Sequence, residues 1–143
     1  MAIPMPPPVN RILETVIYCP DLDAAETFYG GILGLRLGSR SGNRGLFYVV
    51  EDSVFLIFNP DETVKGGVVP PHGTHGAGHF ALQIEPEQYD TWVAHLRDSG
   101  VTIEQEHFWP DWNARSIYFR DPAGNAAELI TRGAWGNHLP PGA

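Results

Sequence analysis

The stretch "LETVIYCPDLDAAETF", residues 13–28, decides the fold because its pattern returns once further along the chain. A run of β-branched and apolar residues is followed by apolar residues at helical spacing, which predicts a strand and then a helix. "GHFALQIEPEQYDTWV", residues 78–93, has the same order and places His79 at the position of Glu14. The chain therefore contains an internal repeat.

Each copy of the repeat continues with three more predicted strands. They are "LRLGSR", "GLFYVV" and "SVFLIF" in the first copy, and "VTIEQEHF", "ARSIYFRD" and "AAELIT" in the second. We expect a single domain over residues 1–143, with module one at about 10–60, a linker at 61–77, module two at about 78–132 and a C-terminal tail at 133–143.

This order predicts an α+β fold of two βαβββ modules. Packed side by side, the modules form a curved mixed sheet with the helices on its outer face and a concave inner cavity. Side chains alternate along a strand, so Ile17 and Phe80 suit the helix side while Glu14 and His79 face the cavity. Aligning the last hairpin of each module places Phe55 opposite Glu128.

Composition excludes several classes of protein. The 143 residues include 9 Lys and Arg against 17 Asp and Glu, a net charge of −8, which argues against nucleic acid or an anionic membrane as partner. The single cysteine excludes an intrachain disulfide. No secretory signal or membrane-length apolar run is visible, so we expect a cytoplasmic protein that acts on a small molecule.

Glu14, His79 and Glu128 form the candidate site. Two carboxylates in one concavity repel each other unless a cation compensates them. With one imidazole they supply two oxygens, one nitrogen and a charge of −2, which suits a divalent metal with open positions for substrate. This donor set favours Mn, Fe, Ni, Co or Zn. The structural alternatives are an ion pair of Glu14 with Arg11 or Arg36 and a satisfied core histidine at position 79.

Two loops carry further candidate residues. "HFWPDWNAR", residues 107–115, brings Trp109 and Trp112 close to His107 and either walls an apolar or aromatic substrate pocket or packs on the sheet or a partner chain. "PPHGTHGAGH", residues 70–79, carries His72 and His75, but its spacing is not a zinc pattern. We expect this second loop to lie at the mouth of the cavity.

The repeat and "DPAGNAAEL", residues 121–129, resemble the vicinal oxygen chelate superfamily over about residues 11–132. This group contains glyoxalase I, fosfomycin-resistance proteins, extradiol dioxygenases and bleomycin-resistance proteins. The resemblance implies metal ligands at Glu14, where the family commonly has histidine, and at His79 and Glu128. Phe55 stands where glyoxalase I has a fourth ligand, which argues for a site with three protein ligands.

The resemblance also implies a reaction. In this family the metal chelates two adjacent oxygens of a small substrate and stabilises the anion that develops there. Glu128 and Tyr118 are then the catalytic candidates, and the substrate pocket is expected at Tyr18, Phe55, Gln83, Trp109 and Trp112. The sequence predicts a homodimeric lyase, isomerase or dioxygenase. The alternative is a metal-free protein that binds a drug, as bleomycin-resistance proteins do.

Overall fold

The computed structural model describes residues 2–143, and the two βαβββ modules follow one another along the chain. Module one comprises β1 (Glu14–Tyr18), α1 (Leu22–Glu26), a π-helical segment (Thr27–Ile32), β2 (Arg36–Ser41), β3 (Gly45–Val50) and β4 (Ser53–Phe58). A short helix, α2 (Pro60–Thr63), begins the connection to module two. Module two comprises β5 (His79–Ile84), a 3-10 turn (Pro86–Gln88), α3 (Tyr89–Asp98), β6 (Gln105–Trp109), β7 (Ala114–Arg120) and β8 (Ala126–Thr131).

The strands form two four-stranded mixed sheets of identical topology. The first sheet has the order β1-β4-β3-β2 and the second has the order β5-β8-β7-β6. In each sheet the first strand runs parallel to the last, and the other neighbours are antiparallel. The predicted α+β class and the paired modules are confirmed. The single curved sheet is replaced by two separate sheets, because β1 and β5 remain edge strands.

The strand registers give the structural alignment of the two modules. Glu14 pairs with Val54 between β1 and β4, and His79 pairs with Ala126 between β5 and β8. Glu128 lies two residues beyond Ala126, so its equivalent in module one lies two residues beyond Val54. The sequence alignment of the last hairpins is therefore one residue out of register.

That equivalent residue is Leu56, and Phe55 lies on the opposite face of the sheet. Phe55 is buried in the core, where its ring centroid is 5.6 Å from that of Tyr29 and 5.0 Å from that of Phe80. The position related to Glu128 is apolar, as predicted, but the residue that occupies it is Leu56. Phe55 belongs to the core rather than to a cavity on the polar face.

One hydrophobic core fills the space between the helices and the helix-facing sides of both sheets. The predicted alternation places Ile17 of β1, Cys19 just after β1, and Phe80 and Ile84 of β5 in this core. Leu13, expected on the same face, precedes β1 and is exposed. The opposite face of each sheet carries the polar side chains of β1 and β5, which are therefore free to form a site.

The helix predicted after the first strand is present but changes type along its length, from α-helix to π-helix. Asp21 caps it by accepting a hydrogen bond from the Ala24 amide. Further on, the Leu33 amide donates to the Phe28 carbonyl, the longer i→i+5 spacing of a π-helix. The wider turn lets two consecutive aromatic residues, Phe28 and Tyr29, both face the core. No helix within residues 2–143 has the length and apolar character needed to span a bilayer.

The turn before β8 is held by two buried polar side chains, Asp121 and Asn125. Asp121 accepts from the hydroxyl of Tyr29 at 2.6 Å and from the Asn125 amide groups. The Asn125 side chain also donates to the Tyr18 carbonyl at 2.9 Å and accepts from the Gly78 amide at 2.7 Å. This network ties the end of β1, the π-helical segment and the start of β5 to the strand that carries Glu128.

Tyr29 should make the protein sensitive to alkaline pH. Burial, reinforced by the charge of Asp121, raises the pKa of Tyr29 far above its usual range. The folded state then retains a proton that the unfolded chain loses near pH 10, so stability falls as the pH rises above 10. Tyr29→Phe should reduce the loss of unfolding free energy between pH 9 and 11 by about 1.4 kcal/mol.

Urea unfolding of both proteins across that range measures the effect. Burial also raises the pKa of Tyr48, to about 12, and that of Tyr89. These two residues supply the same pH dependence in the variant and in the wild type, so the difference between the two proteins belongs to Tyr29. Equal pH dependence in both would contradict the assignment.

Candidate functional site

The polar face of the second sheet gathers the candidate residues on three adjacent strands. Glu128 on β8 pairs with Tyr118 on β7 in the antiparallel register. Ser116 is two residues from Tyr118 and therefore lies on the same face. His79 starts β5 on the other side of β8. Because these strands are hydrogen-bonded neighbours, the spacing of the four side chains is set by the sheet.

His79 and Glu128 form a close pair in which the facing atoms lack a hydrogen-bond donor when the imidazole is neutral. The Nε2 atom of His79 is 3.3 Å from Oε1 of Glu128. The Nδ1 atom lies 2.9 Å from the Ala126 carbonyl, which can only accept, so Nδ1 carries a proton. A neutral imidazole then directs the lone pair of Nε2 at a carboxylate oxygen. The pair is satisfied only if a second proton or a cation lies between the two atoms.

The other oxygen of Glu128 is hydrogen-bonded to Ser116, on the neighbouring strand β7. Ser116 Oγ is 2.5 Å from Oε2 of Glu128 and accepts a hydrogen bond from the Trp109 indole at 2.8 Å. Ser116 is fully buried, and Glu128 is only 5% exposed. One oxygen of the carboxylate is thus held by Ser116, while the other lies beside His79.

Tyr118 completes this cluster from β7. Its ring is stacked with that of His79, with centroids 6.4 Å apart and planes inclined by 30°. Burial raises the pKa of the Tyr118 phenol, and the negative charge of Glu128 acts in the same direction. The phenol therefore keeps its proton at neutral pH, beside the carboxylate.

Glu14 lies apart from this cluster within one copy of the chain. Asn125 brings the last residue of β1, Tyr18, beside Gly78, which precedes His79. Glu14 is at the other end of β1, ~13 Å from Tyr18 at about 3.3 Å per strand residue. Within residues 2–143 of a single copy, no three His, Cys, Asp or Glu side chains are grouped so that they could hold a metal.

The loop before β5 lies against the polar face of the first sheet. Tyr18 shares a hydrogen bond of 2.6 Å with Nδ1 of His72, whose ring also meets that of Phe58 at 5.1 Å. His75 instead pairs with Asp61 at 2.8 Å. The two loop histidines thus have different partners: His72 helps to fix the loop to module one, and His75 helps to fix it to α2.

The remaining pocket candidates lie around β5 and β6. Gln83 is exposed on β5, and its amide oxygen, correctly oriented, accepts from Arg132 at 3.1 Å. An aromatic row continues outward from the site, with centroid distances of 5.6 Å from Trp109 to Trp112 and 4.5 Å from Trp112 to Trp135. A cleft of about 250 Å³ opens beside it and is lined by Gln105, His107, Trp109 and Tyr118.

Sequence reasoning missed Ser116, Asp121 and Asn125. Ser116 carried a signal, because it alternates with Tyr118 in a strand that precedes the one carrying Glu128. Asp121 and Asn125 flank the turn "DPAGN", and the two residue types commonly bond to nearby backbone amides. Their long-range partners, Tyr29 and Tyr18, could not be read from that local pattern.

The whole repeat matches a known protein family. The model of the Glyoxalase/Bleomycin resistance protein/Dioxygenase superfamily matches residues 11–129. Among curated proteins, metallothiol transferase FosB of Bacillus licheniformis is 26% identical over 123 residues, which cover 86% of this chain and 74% of the relative. FosB of Staphylococcus epidermidis is 28% identical over 124 residues, covering 86% of this chain and 80% of the relative.

A solved structure extends the likeness to the arrangement of both modules. The crystal structure of lactoylglutathione lyase from Agrobacterium tumefaciens has a TM-score of 0.84 and is 33% identical, with coverage of 90% of this chain and 98% of that one. The repeat, the topology of both sheets and the family match agree. The chain belongs to the Glyoxalase/Bleomycin resistance protein/Dioxygenase superfamily, the vicinal oxygen chelate group.

Proposed function

We propose that this protein is a metal-dependent enzyme of the glyoxalase and dioxygenase type that acts on a small substrate with two adjacent oxygens. The observation that carries the proposal is the pair formed by His79 and Glu128. When the imidazole is neutral and carries its proton on Nδ1, Nε2 and Oε1 both accept hydrogen bonds and face each other at 3.3 Å, while Ser116 holds the other oxygen. A divalent cation held by both atoms would satisfy them at once and leave open positions for a substrate, whereas a second imidazole proton would satisfy them as an ion pair.

The donor chemistry fits a first-row divalent metal. An imidazole nitrogen and a carboxylate oxygen suit Mn, Fe, Ni, Co or Zn. The Nδ1 proton donated to the Ala126 carbonyl leaves Nε2 free to coordinate, which is the usual arrangement of a metal-binding histidine. His79 and Glu128 are thus the two ligands that we assign to one chain.

Glu14 is the third ligand that we propose, supplied by a second copy of the chain. It is exposed on the polar face of the first sheet, and His79 is exposed on the equivalent face of the second. A homodimer that brings the two faces together would add the second negative charge needed to neutralise a divalent ion. The apolar Leu56, at the position related to Glu128, offers no fourth ligand.

The metal would act as a Lewis acid toward the adjacent oxygens of the substrate and stabilise the anion that develops on them. Tyr118 would hold a proton beside that centre, because burial raises its pKa. Trp109 and Trp112 would bind an apolar part of the substrate, and Gln83 and Tyr18 would supply polar contacts at the rim. Phe55 supports the site only from within the core.

The reaction that we propose is of the lyase, isomerase or dioxygenase type, and the names of the relatives add group transfer to this range. The relatives include proteins named metallothiol transferase and lactoylglutathione lyase. Glutamate in place of histidine at position 14 makes the donor set richer in oxygen than two histidines and one glutamate. This change argues against the ring-cleaving dioxygenases within that range.

The metal content of purified protein tests the proposal. We expect one divalent ion per chain in the wild type and strong loss of metal in His79→Ala and Glu128→Ala, because each substitution removes a direct ligand. His138→Ala, in the exposed tail, is the matched control and should retain metal. Elemental analysis after dialysis gives the result, and full metal content in both ligand variants would overturn the assignment.

Mixed dimers test the contribution of Glu14 from a second copy. Glu14→Ala and His79→Ala chains, carrying different tags, are expressed together and the heterodimer is isolated. If the site combines two copies, one of its two sites has every ligand intact, so metal content and activity should reach about half of the wild-type value. If each site lies within one chain, both sites lack a ligand and the heterodimer should resemble the parental variants.

A metal-free binding protein is the second candidate function. The row of Trp109, Trp112 and Trp135 and the net charge of −8 favour a flat, cationic aromatic ligand. Fluorescence titration of chelator-treated protein with such a drug separates the two proposals. Tight binding that is unaffected by added metal, with no turnover, would favour the binding protein. Binding that requires metal would favour the enzyme.

A further inference from the structure

Three groups on three neighbouring strands form a hydrogen-bonded chain that ends at Glu128. Trp109 on β6 lies 2.8 Å from Ser116 on β7, and Ser116 lies 2.5 Å from Oε2 of Glu128 on β8. Ser116 and Glu128 are both buried. This hydrogen-bonded chain crosses the sheet diagonally, because Trp109 pairs with Ala114 and Glu128 pairs with Tyr118, two residues to either side of Ser116. The sheet hydrogen bonds therefore fix the backbone positions of all three residues.

The chemistry of these groups sets the direction of the chain. An indole nitrogen can only donate, so Trp109 donates to the oxygen of Ser116. A serine hydroxyl has a single proton, and its remaining acceptor is the Glu128 carboxylate. Ser116 therefore donates to Oε2, and that bond is a short, charge-assisted one. Oε1, which lies 3.3 Å from Nε2 of His79, is the oxygen that Ser116 leaves free.

We propose that Ser116, held by Trp109, is a positioning residue that makes Glu128 a ligand through Oε1 alone. This inference rests on the proposed metal function and adds the two residues that orient the carboxylate. A glutamate without the Ser116 hydrogen bond could rotate and present either oxygen to the metal. The metal affinity would then be lower, and the position of the ligand oxygen would be less well defined. With the bond, the orientation is fixed before any ion arrives.

Metal affinity tests the positioning role. Metal-free protein is titrated with Mn²⁺ and separately with Zn²⁺ by calorimetry. Ser116→Ala should weaken binding ~10- to 100-fold, the usual effect of losing a partner of a metal ligand. Trp109→Phe keeps an aromatic ring but removes the donor to Ser116, and it should weaken binding by ~10-fold or less. Trp135→Phe removes an indole that takes no part in the hydrogen bonds from Trp109 to Glu128, and this variant should bind metal like the wild type.

An NMR measurement on the metal-free protein tests the chain itself. The indole N–H resonance of Trp109 should move in Ser116→Ala, which removes its acceptor, and also in Glu128→Gln, which changes the group that Ser116 contacts. The indole resonance of Trp135 should move in neither variant. A Trp109 resonance unchanged in Ser116→Ala would overturn the inference, whether or not the protein binds metal.

The two measurements separate the possible failures. Metal bound equally by the wild type and Ser116→Ala would overturn the positioning role and leave the proposed function standing. A second outcome is that the wild type binds no metal while the Trp109 resonance moves as expected. That result would overturn the proposed function and the positioning role, and would show that the hydrogen bonds from Trp109 to Glu128 are a structural feature alone. Weaker binding in Ser116→Ala with normal binding in Trp135→Phe would support both proposals.

Discussion

The hydrogen bonds of Asp121 and Asn125 are the constraint on which the rest of the structure depends. Buried polar groups are costly unless they are satisfied, and these two are satisfied only when Tyr29, Tyr18 and Gly78 are all in place. The network therefore stabilises one arrangement of the two modules. It also sets where β8 begins, and with it the position of Glu128.

From that turn onward, the geometry of the site follows from strand register. Parallel pairing of β5 with β8 brings His79 near Glu128, and antiparallel pairing of β7 with β8 places Tyr118 and Ser116 on the same face. One oxygen of the carboxylate is held by a hydroxyl, and the other lies 3.3 Å from an imidazole nitrogen. The same sheet that packs the core thus brings an oxygen and a nitrogen together on its other face.

The alternation of side chains made much of this foreseeable. The polar faces of β1 and β5 follow from the alternation of side chains along each predicted strand. The repeat follows from the order of the predicted strands and helices. The pairing of Phe55 with Glu128 was wrong by one residue, because the longer turn in module two hides the true register and a slip of one residue reverses the face. The separation of Glu14 from His79 depends on Asn125, whose partner Tyr18 is 107 residues away along the chain.

Trp109 belongs to two features at once, because it lines the cleft beside β6 and also donates to Ser116. A molecule in the cleft that displaced the indole would remove the hydrogen bond that Ser116 accepts, and with it one restraint on the orientation of Glu128. By thermodynamic reciprocity, each occupant changes the affinity for the other by the same factor. With the proposed role of Ser116, one tryptophan would couple occupation of the cleft to binding at the carboxylate.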